Sequence, residues 1–468
     1  MILRQWQSAC VSSVLNQFKQ GNKHFLCLAT PGAGKTVMAA EVAARLFDDN
    51  EIDFVLCFSP SITVSEGFKA TFSQRLNQRF DGVIGALGSS HTYQSMPYFN
   101  QGFWQLLIEH RVLVIFDEIH HCSGLNVETS NSWGEEVILN IQEQAKYTLA
   151  LTGTPWRSDK SPIVLSNYKG KENTIQCDYS YGLKQAVKDG VCRTPSIVLI
   201  DNEEITVTDN NNDTQTFNSF KTLLNEKLVT YQDLISDKKA IEFILSKGCR
   251  KLSEVRKHNA QAGGLVVASS VTHANQIVRI LQDKFKQSAV AVSYLQEEPS
   301  EIINTYRNSK TQWIVAIGMV SEGTDIPRLQ VCCHLSRIKT ELYFRQVLGR
   351  VLRVNGSIDQ NAWLYTFNEP KLMEYAHRIE KDLPDISVII KDNFKRDDSD
   401  FEHNSVQSNF QRDIKDKTIQ FGFDQYSEDS TIDHSGENVA NGNNSFMRSF
   451  ELLGAFREQV VATFNSPF

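Results

Sequence analysis

The sequence predicts an α/β fold of two tandem domains, each a parallel sheet with crossover helices. Three observations predict it. Short apolar runs alternate with helix-length stretches through the first third of the chain. A second set of such runs begins after residue 262. A Gly-rich loop sits between the first run and the helical stretch that follows it.

The first set is Phe25-Leu-Cys-Leu-Ala29, Phe54-Val-Leu-Cys-Phe58, Val112-Leu-Val-Ile-Phe116 and Tyr147-Thr-Leu-Ala-Leu151. Each is apolar on both faces, as a strand must be when helices cover the sheet on both sides. The second set is Gly264-Leu-Val-Val-Ala268, Trp313-Ile-Val-Ala-Ile317, Gln330-Val-Cys-Cys-His334 and Ala362-Trp-Leu-Tyr-Thr366. We expect a first domain over 1–159 and a second over 263–393, joined by a connector or insertion at 160–262, where the alternation weakens. Residues 394–444 shift to Asp, Ser, Asn and Gln and read as a flexible linker. Residues 445–468 carry Phe446, Phe450, Leu453, Phe456, Val460 and Phe464 at spacings of three and four, the pattern of an amphipathic helix. That helix would dock on the chain's own surface or hold a protein partner. No repeat of fixed period is present.

Composition removes several classes. The opening Met1-Ile-Leu-Arg-Gln-Trp-Gln lacks the apolar run of a signal peptide, and no 18 consecutive residues are apolar, so a cytoplasmic protein without membrane spans is expected. The nine cysteines show no C-x-x-C or metal-binding spacing, and His120-His121-Cys122 reads better as structural than as a metal site. A net charge of −7 argues against coating nucleic acid over the whole surface. It leaves open a local groove that holds phosphates with backbone amides and a few cations.

Ala29-Thr-Pro-Gly-Ala-Gly-Lys-Thr36 fits G-x-x-x-x-G-K-[ST] with Ala29 in the first position. Small residues at Pro31, Gly32, Ala33 and Gly34 let the loop wrap closely, so its N–H groups face phosphate oxygens. Lys35 would neutralise the β and γ phosphates, and Thr36 would offer its hydroxyl to Mg²⁺. Asp117 and Glu118 end the Val112 run, at the carboxyl edge where such sheets bind ligands. Asp117 would hold Mg²⁺ through water, and Glu118 would orient the attacking water. ATP with Mg²⁺ is the expected cofactor pair.

Further motifs carry a resemblance. Leu3-Arg-Gln-Trp-Gln7, Leu151-Thr-Gly-Thr-Pro-Trp-Arg157, Val320-Ser-Glu-Gly-Thr-Asp-Ile-Pro327 and Gln346-Val-Leu-Gly-Arg-Val-Leu-Arg353 occur in that order. With the phosphate loop they resemble superfamily 2 helicases of the DExH type, nearest to restriction-enzyme motor subunits and bacterial repair helicases. The resemblance spans about 3–366 and implies two RecA-like domains. It implies that Gln7 reads the adenine edge, framed by Trp6 or Arg4. Thr152 and Thr154, with His120 and Gln346, would couple nucleotide state to domain closure, and Gly323 and Asp325 would border the nucleotide. It makes Arg353 the arginine finger and Arg350 its companion; the spacing alone puts Gln346, Gly349, Arg350 and Arg353 on one helix face. Arginine suits that task because its charge is permanent and its fork matches phosphate. The resemblance also assigns strand contacts to Ser59, Pro60, Thr92, Tyr93, Ser269, Thr272 and Ser321, through hydroxyls and amides that hold phosphates without reading bases.

The function expected is a DNA helicase or translocase driven by ATP, the motor of a repair, restriction or phage-defence system. The alternatives are an RNA helicase, or an ATP-gated switch that recruits a partner through the terminal helix. No nuclease or methyltransferase signature accompanies the motor motifs.

Overall fold

Strands buried on both faces form where short runs of the sequence stay largely apolar, and this fixes the first lobe. The computed structural model describes residues 2–155, 157, 159, 161–169, 174–208, 212–293, 295–296, 298–318, 326–354, 361–380 and 449–462. Strands β1 (His24–Ala29), β2 (Phe54–Ser59), β3 (Gly88–Thr92), β4 (Val112–Asp117) and β5 (Tyr147–Thr152) are parallel. After a hairpin of β6 (Asn167–Lys169) and β7 (Thr174–Gln176), β8 (Tyr179–Tyr181) adds a sixth parallel strand. The order is β3-β2-β4-β5-β1-β8. Strands β1, β5 and β4 are therefore neighbours, and the loops that leave them emerge side by side at the carboxyl edge.

The covering helices follow from spacing and caps. Gln5–Lys19 buries Trp6, Cys10, Val11, Val14 and Phe18, a stripe at intervals of one to four residues, with Phe18 stacked on Tyr147 at 4.2 Å. Ile62–Leu76 starts where the Ser61 hydroxyl accepts from the Val64 N–H and stops at Asn77 in the left-handed region, φ 52°.

The second lobe is a seven-stranded sheet. It comprises β9 (Thr194–Asn202), β12 (Gly263–Val267), β13 (Ala289–Val292), β14 (Trp313–Ala316), β15 (Leu329–His334), β16 (Asn361–Phe367) and β18 (Phe456–Ala462). The order is β13-β14-β12-β15-β16-β9-β18, parallel except that β18 runs against β9. A small antiparallel sheet of β11 (Thr214–Phe217), β10 (Ile205–Thr208) and β17 (Ser449–Leu452) adjoins it in sequence.

Two expectations need correction. The 160–262 stretch is not an insertion apart from the domains: β8 belongs to the first sheet, β9 to the second, and Lys238–Arg256 buries Ile241, Ile244, Leu245, Cys249 and Leu252. The rhythm weakened there because most strands of the stretch are only three or four residues long. The amphipathic helix at 445–468 is also replaced, because β17 and β18 occupy 449–462. The edge of β9 takes β18 in register, Phe456 opposite Asn202 through Ala462 opposite Ser196. Phe456 stacks on Phe243 at 4.1 Å, and Glu458 pairs with Lys247. An edge strand that can complete its hydrogen bonds outweighs a helical spacing built from aromatic and β-branched residues. Phe446, Phe464 and the 394–444 stretch lie outside the described residues.

Among the described residues no helix is long and apolar enough to cross a membrane, and no group of three or more His, Cys, Asp or Glu gathers as a metal site. All nine cysteines are free thiols, eight of them buried.

The strand assignment reverses the order of sensitivity that a helix would give. Val461 is 3% exposed and Val460 is 56% exposed. Val461→Asp is expected to cost about 3 kcal/mol in urea unfolding, and Val460→Asp no more than about 0.5 kcal/mol. A docked helix, with Val460 in its apolar stripe, would show the opposite ranking.

Candidate nucleotide site

The phosphate loop turns through two residues that only glycine adopts easily. Gly32 has φ +82° and Gly34 φ +93°, and Gly34 caps the helix Lys35–Asp48. A Cβ on Gly34 would also lie 2.8 Å from Nε2 of Gln7. The terminal segment grips this loop. Arg4 Nη1 donates to Ala33 O at 2.6 Å, and Gln7 Nε2 donates to Gly34 O at 2.9 Å. Gln7 Oε1 accepts from the Arg4 N–H at 2.8 Å. Gln7 is buried, and its amide holds the phosphate loop through Gly34 O.

The loops after β1, β4 and β5 converge as the strand order requires. Lys35 Nζ lies 3.1 Å from Glu118 Oε1 and donates to Ala29 O at 3.2 Å. Glu118 takes the left-handed conformation, φ 51°, and its Oε2 accepts from the Gly153 N–H at 2.9 Å and the Thr152 hydroxyl at 3.4 Å. Burial opposes ionisation of Glu118, but Lys35, His120 and the Gly153 N–H outweigh it and hold the carboxyl at about 2. Asp117 goes the other way. Burial first, then the neighbouring Glu118 charge, push it up, to about 7. Burial lowers the Lys35 ammonium, and the two carboxylates more than restore it, to a net rise.

His120 is buried with Nδ1 3.1 Å from the Thr152 hydroxyl, which donates to Thr154 O at 2.7 Å. Thr154 is buried as well, and its N–H returns to Thr152 at 3.0 Å. Arg157 Nη1 donates to His120 O at 2.6 Å, a link that no spacing in the sequence announced.

The second lobe meets the loop directly. Helix Glu341–Val351 is capped by the Thr340 hydroxyl and carries Gln346, Gly349 and Arg350. A Cβ on Gly349 would lie 2.8 Å from the Pro31 Cβ, and a Cβ on Gly32 would lie 3.1 Å from the Arg353 Cγ. Arg353 therefore lies over the phosphate loop. Gln346 and Arg350 are half-buried on the same helix.

The residues present fit a nucleotide with its cation. Two glycines in the left-handed region open the loop backbone, Lys35 supplies a cation beside it, and the Asp117 Oδ1 atom is buried without a hydrogen-bond partner. Asp117 and the half-exposed Thr36, in the first turn of its helix, would hold Mg²⁺.

The expected strand contacts divide. Ser59 is buried and donates toward Ser61 O and His91 O, and Tyr93 is buried with its hydroxyl donating to Asp117 O at 2.7 Å. Each side chain lies inside the sheet edge, where its hydroxyl meets backbone carbonyls. Pro60 and Thr92 are half-buried beside each other's loops, joined through Gln94 to Pro60 O at 3.2 Å. Ser269 is half-buried and Thr272 exposed at the start of Val271–Arg279. Ser321, Gly323, Asp325 and Trp156 lie outside the described residues. Sequence reasoning missed Cys192 and Arg193, where the chain enters the second sheet. Cys192 Sγ lies 3.6 Å from Pro31 O, and Cys192 bridges Arg353.

Comparison with known proteins agrees with this architecture. Residues 1–157 match the family described as type III restriction enzyme, res subunit, and residues 247–355 match the helicase conserved C-terminal domain. The uncharacterised protein Rv2917 of Mycobacterium tuberculosis is 29% identical over 402 residues, covering 81% of this chain and 63% of its own length. The chain thus spans less than two thirds of that relative. The DNA 3'-5' translocase XPB2 of Sulfurisphaera tokodaii is 23% identical over 377 residues, with 75% of this chain and 78% of that one covered. The fold is shared with the ATP-dependent type ISP restriction-modification enzyme LlaBIII bound to DNA, at TM-score 0.53 and 14% identity, over 83% of this chain and 30% of the other. The two family matches fall in the order of the two sheets and together span more than half of the sequence, and the chain belongs to the superfamily 2 helicases related to the res subunit.

Proposed function

We propose that this chain is a DNA-dependent ATPase that moves along its substrate, the motor of a restriction, repair or defence machinery. One observation carries the reading: Gly349 and Arg353 of the second lobe lie on Pro31 and Gly32 of the phosphate loop. A nucleotide held by Lys35 and Thr36 would touch both lobes, so its hydrolysis would change how they fit together. Glu118, held ionised by Lys35 and the Gly153 N–H, is suited to orient and polarise a water. The permanent charge of Arg353 is suited to the charge that builds on the transferred phosphoryl. DNA is favoured over RNA by the similarity to a DNA translocase and by the res-subunit match. The partner-recruiting switch loses its basis, since 449–462 form strands within this chain.

Lys35→Ala and Glu118→Gln should each lower turnover by at least about 100-fold in a steady-state ATPase assay. The Glu118 variant should still bind nucleotide, because the contacts expected of Lys35 and Thr36 survive. Wild-type ATPase should rise on adding double- or single-stranded DNA. No rise with any DNA, or a rise with RNA alone, refutes the DNA assignment.

Gly349→Leu should separate binding from chemistry. Its side chain would meet Pro31, so the lobes could not approach as closely, and kcat should fall about tenfold or more, roughly 1.4 kcal/mol. Nucleotide affinity, measured by fluorescence of a labelled analogue, should stay within about threefold. Wild-type kcat in this variant would mean that the contact plays no part in turnover.

A further inference from the structure

Arg193 is fully buried, among the largest side chains to be so. A guanidinium taken out of water costs several kcal/mol unless its donors are used. Here they point at backbone carbonyls. Nη1 donates to Leu329 O at 2.8 Å, to Val351 O at 3.2 Å and to Pro327 O at 3.4 Å, and Nη2 also donates to Pro327 O at 3.4 Å. The Arg193 N–H donates to Leu352 O at 2.7 Å. Val351 ends the helix Glu341–Val351, whose last carbonyls have no partner within the helix and carry its negative pole. Arg193 therefore caps that helix from outside, at the point where the chain passes from β8 to β9.

The neighbours of Arg193 make this more than a structural cap. Val351 and Leu352 immediately precede Arg353. Cys192 forms a bridge with Arg353 and approaches Pro31 O. Pro327 closes the 320–327 motif. One side chain thus holds the end of the arginine-bearing helix and the end of that motif against the crossover, which itself touches the phosphate loop.

We propose that Arg193 is a positioning residue for Arg353: it fixes the backbone from which the Arg353 side chain passes over Gly32, and it sets the rate of the hydrolytic step and leaves nucleotide binding unaffected. The inference rests on the ATPase reading above. It gives the crossover a role in turnover, whereas a linker would only tether the lobes.

The test is a double-mutant cycle on the full chain with Arg193→Met, Arg193→Lys, Arg353→Ala and the combined variants, scored for kcat, nucleotide affinity and unfolding midpoint. If Arg193 acts through Arg353, Arg193→Met lowers kcat at least about 30-fold with affinity within about threefold. Arg193→Lys, which keeps the charge and some donors, recovers part of that loss. Adding Arg193→Met to Arg353→Ala then lowers kcat no further. Independent, multiplicative losses overturn the proposal, as does a loss of affinity equal to the loss of kcat. Should the Met variant fail to fold, the cycle with Lys decides by the same criterion. An Arg353→Ala variant with undiminished kcat also overturns it, since Arg193 would then have no Arg353 contribution to act through, whereas a wild-type protein without ATPase would instead refute the ATPase reading.

Discussion

A glycine of one lobe lies against a proline of the other, and the candidate site depends on that contact. With a Cβ on Gly349 only 2.8 Å from Pro31, no other residue lets the helix Glu341–Val351 settle on the phosphate loop without something moving. The same closeness brings Arg353 over Gly32. Close approach requires small residues on both sides, and the loop already needs glycine for its left-handed turns. One set of small residues therefore serves the wrapping of the loop and its coverage by the second lobe.

What sits beneath that contact follows from sheet order. In a parallel sheet every strand sends its loop to the same edge, and β1, β5 and β4 are adjacent. Lys35, Gly153 and Glu118 come together without any long-range adjustment, although the chain separates them by 83 positions between Lys35 and Glu118. The second sheet has a less regular task. It must present a helix end toward the first, and it takes β9 and β18 from distant parts of the chain to complete its edge.

This division explains which features were legible in the sequence. Four strands of each sheet, the phosphate loop, Asp117 with Glu118, and the glycine and arginines of 346–353 could be read because each follows from local chemistry or a fixed period. The burial of Ser59 and Tyr93 was not legible, because a hydroxyl at a strand end looks the same whether it faces solvent or a buried carbonyl, as Tyr93 does with Asp117 O. Gln7 was placed beside the nucleotide, but which way its amide points depends on Arg4 and Gly34. The 449–462 strands imitated a helix because aromatic residues spaced three and four apart fit either form, and the open edge of β9 decided between them. Arg193 had no local signal, since its partners lie more than a hundred residues away.

The ion pair of Lys35 and Glu118 links these levels. A buried lysine–carboxylate pair adds little to stability, because desolvation offsets most of its attraction. Its consequence lies in what else holds Glu118. The carboxylate is also fixed by the Gly153 N–H and Thr152, and Thr152 in turn touches His120, whose carbonyl accepts from Arg157. A phosphate drawing Lys35 toward itself would weaken one tether of Glu118 and leave those from the β5 loop in place. The acid would keep its aim while its charge became less neutralised, which makes it a better acceptor for a water proton. The same shift would load the Thr152–His120–Arg157 chain, whose bonds are already formed.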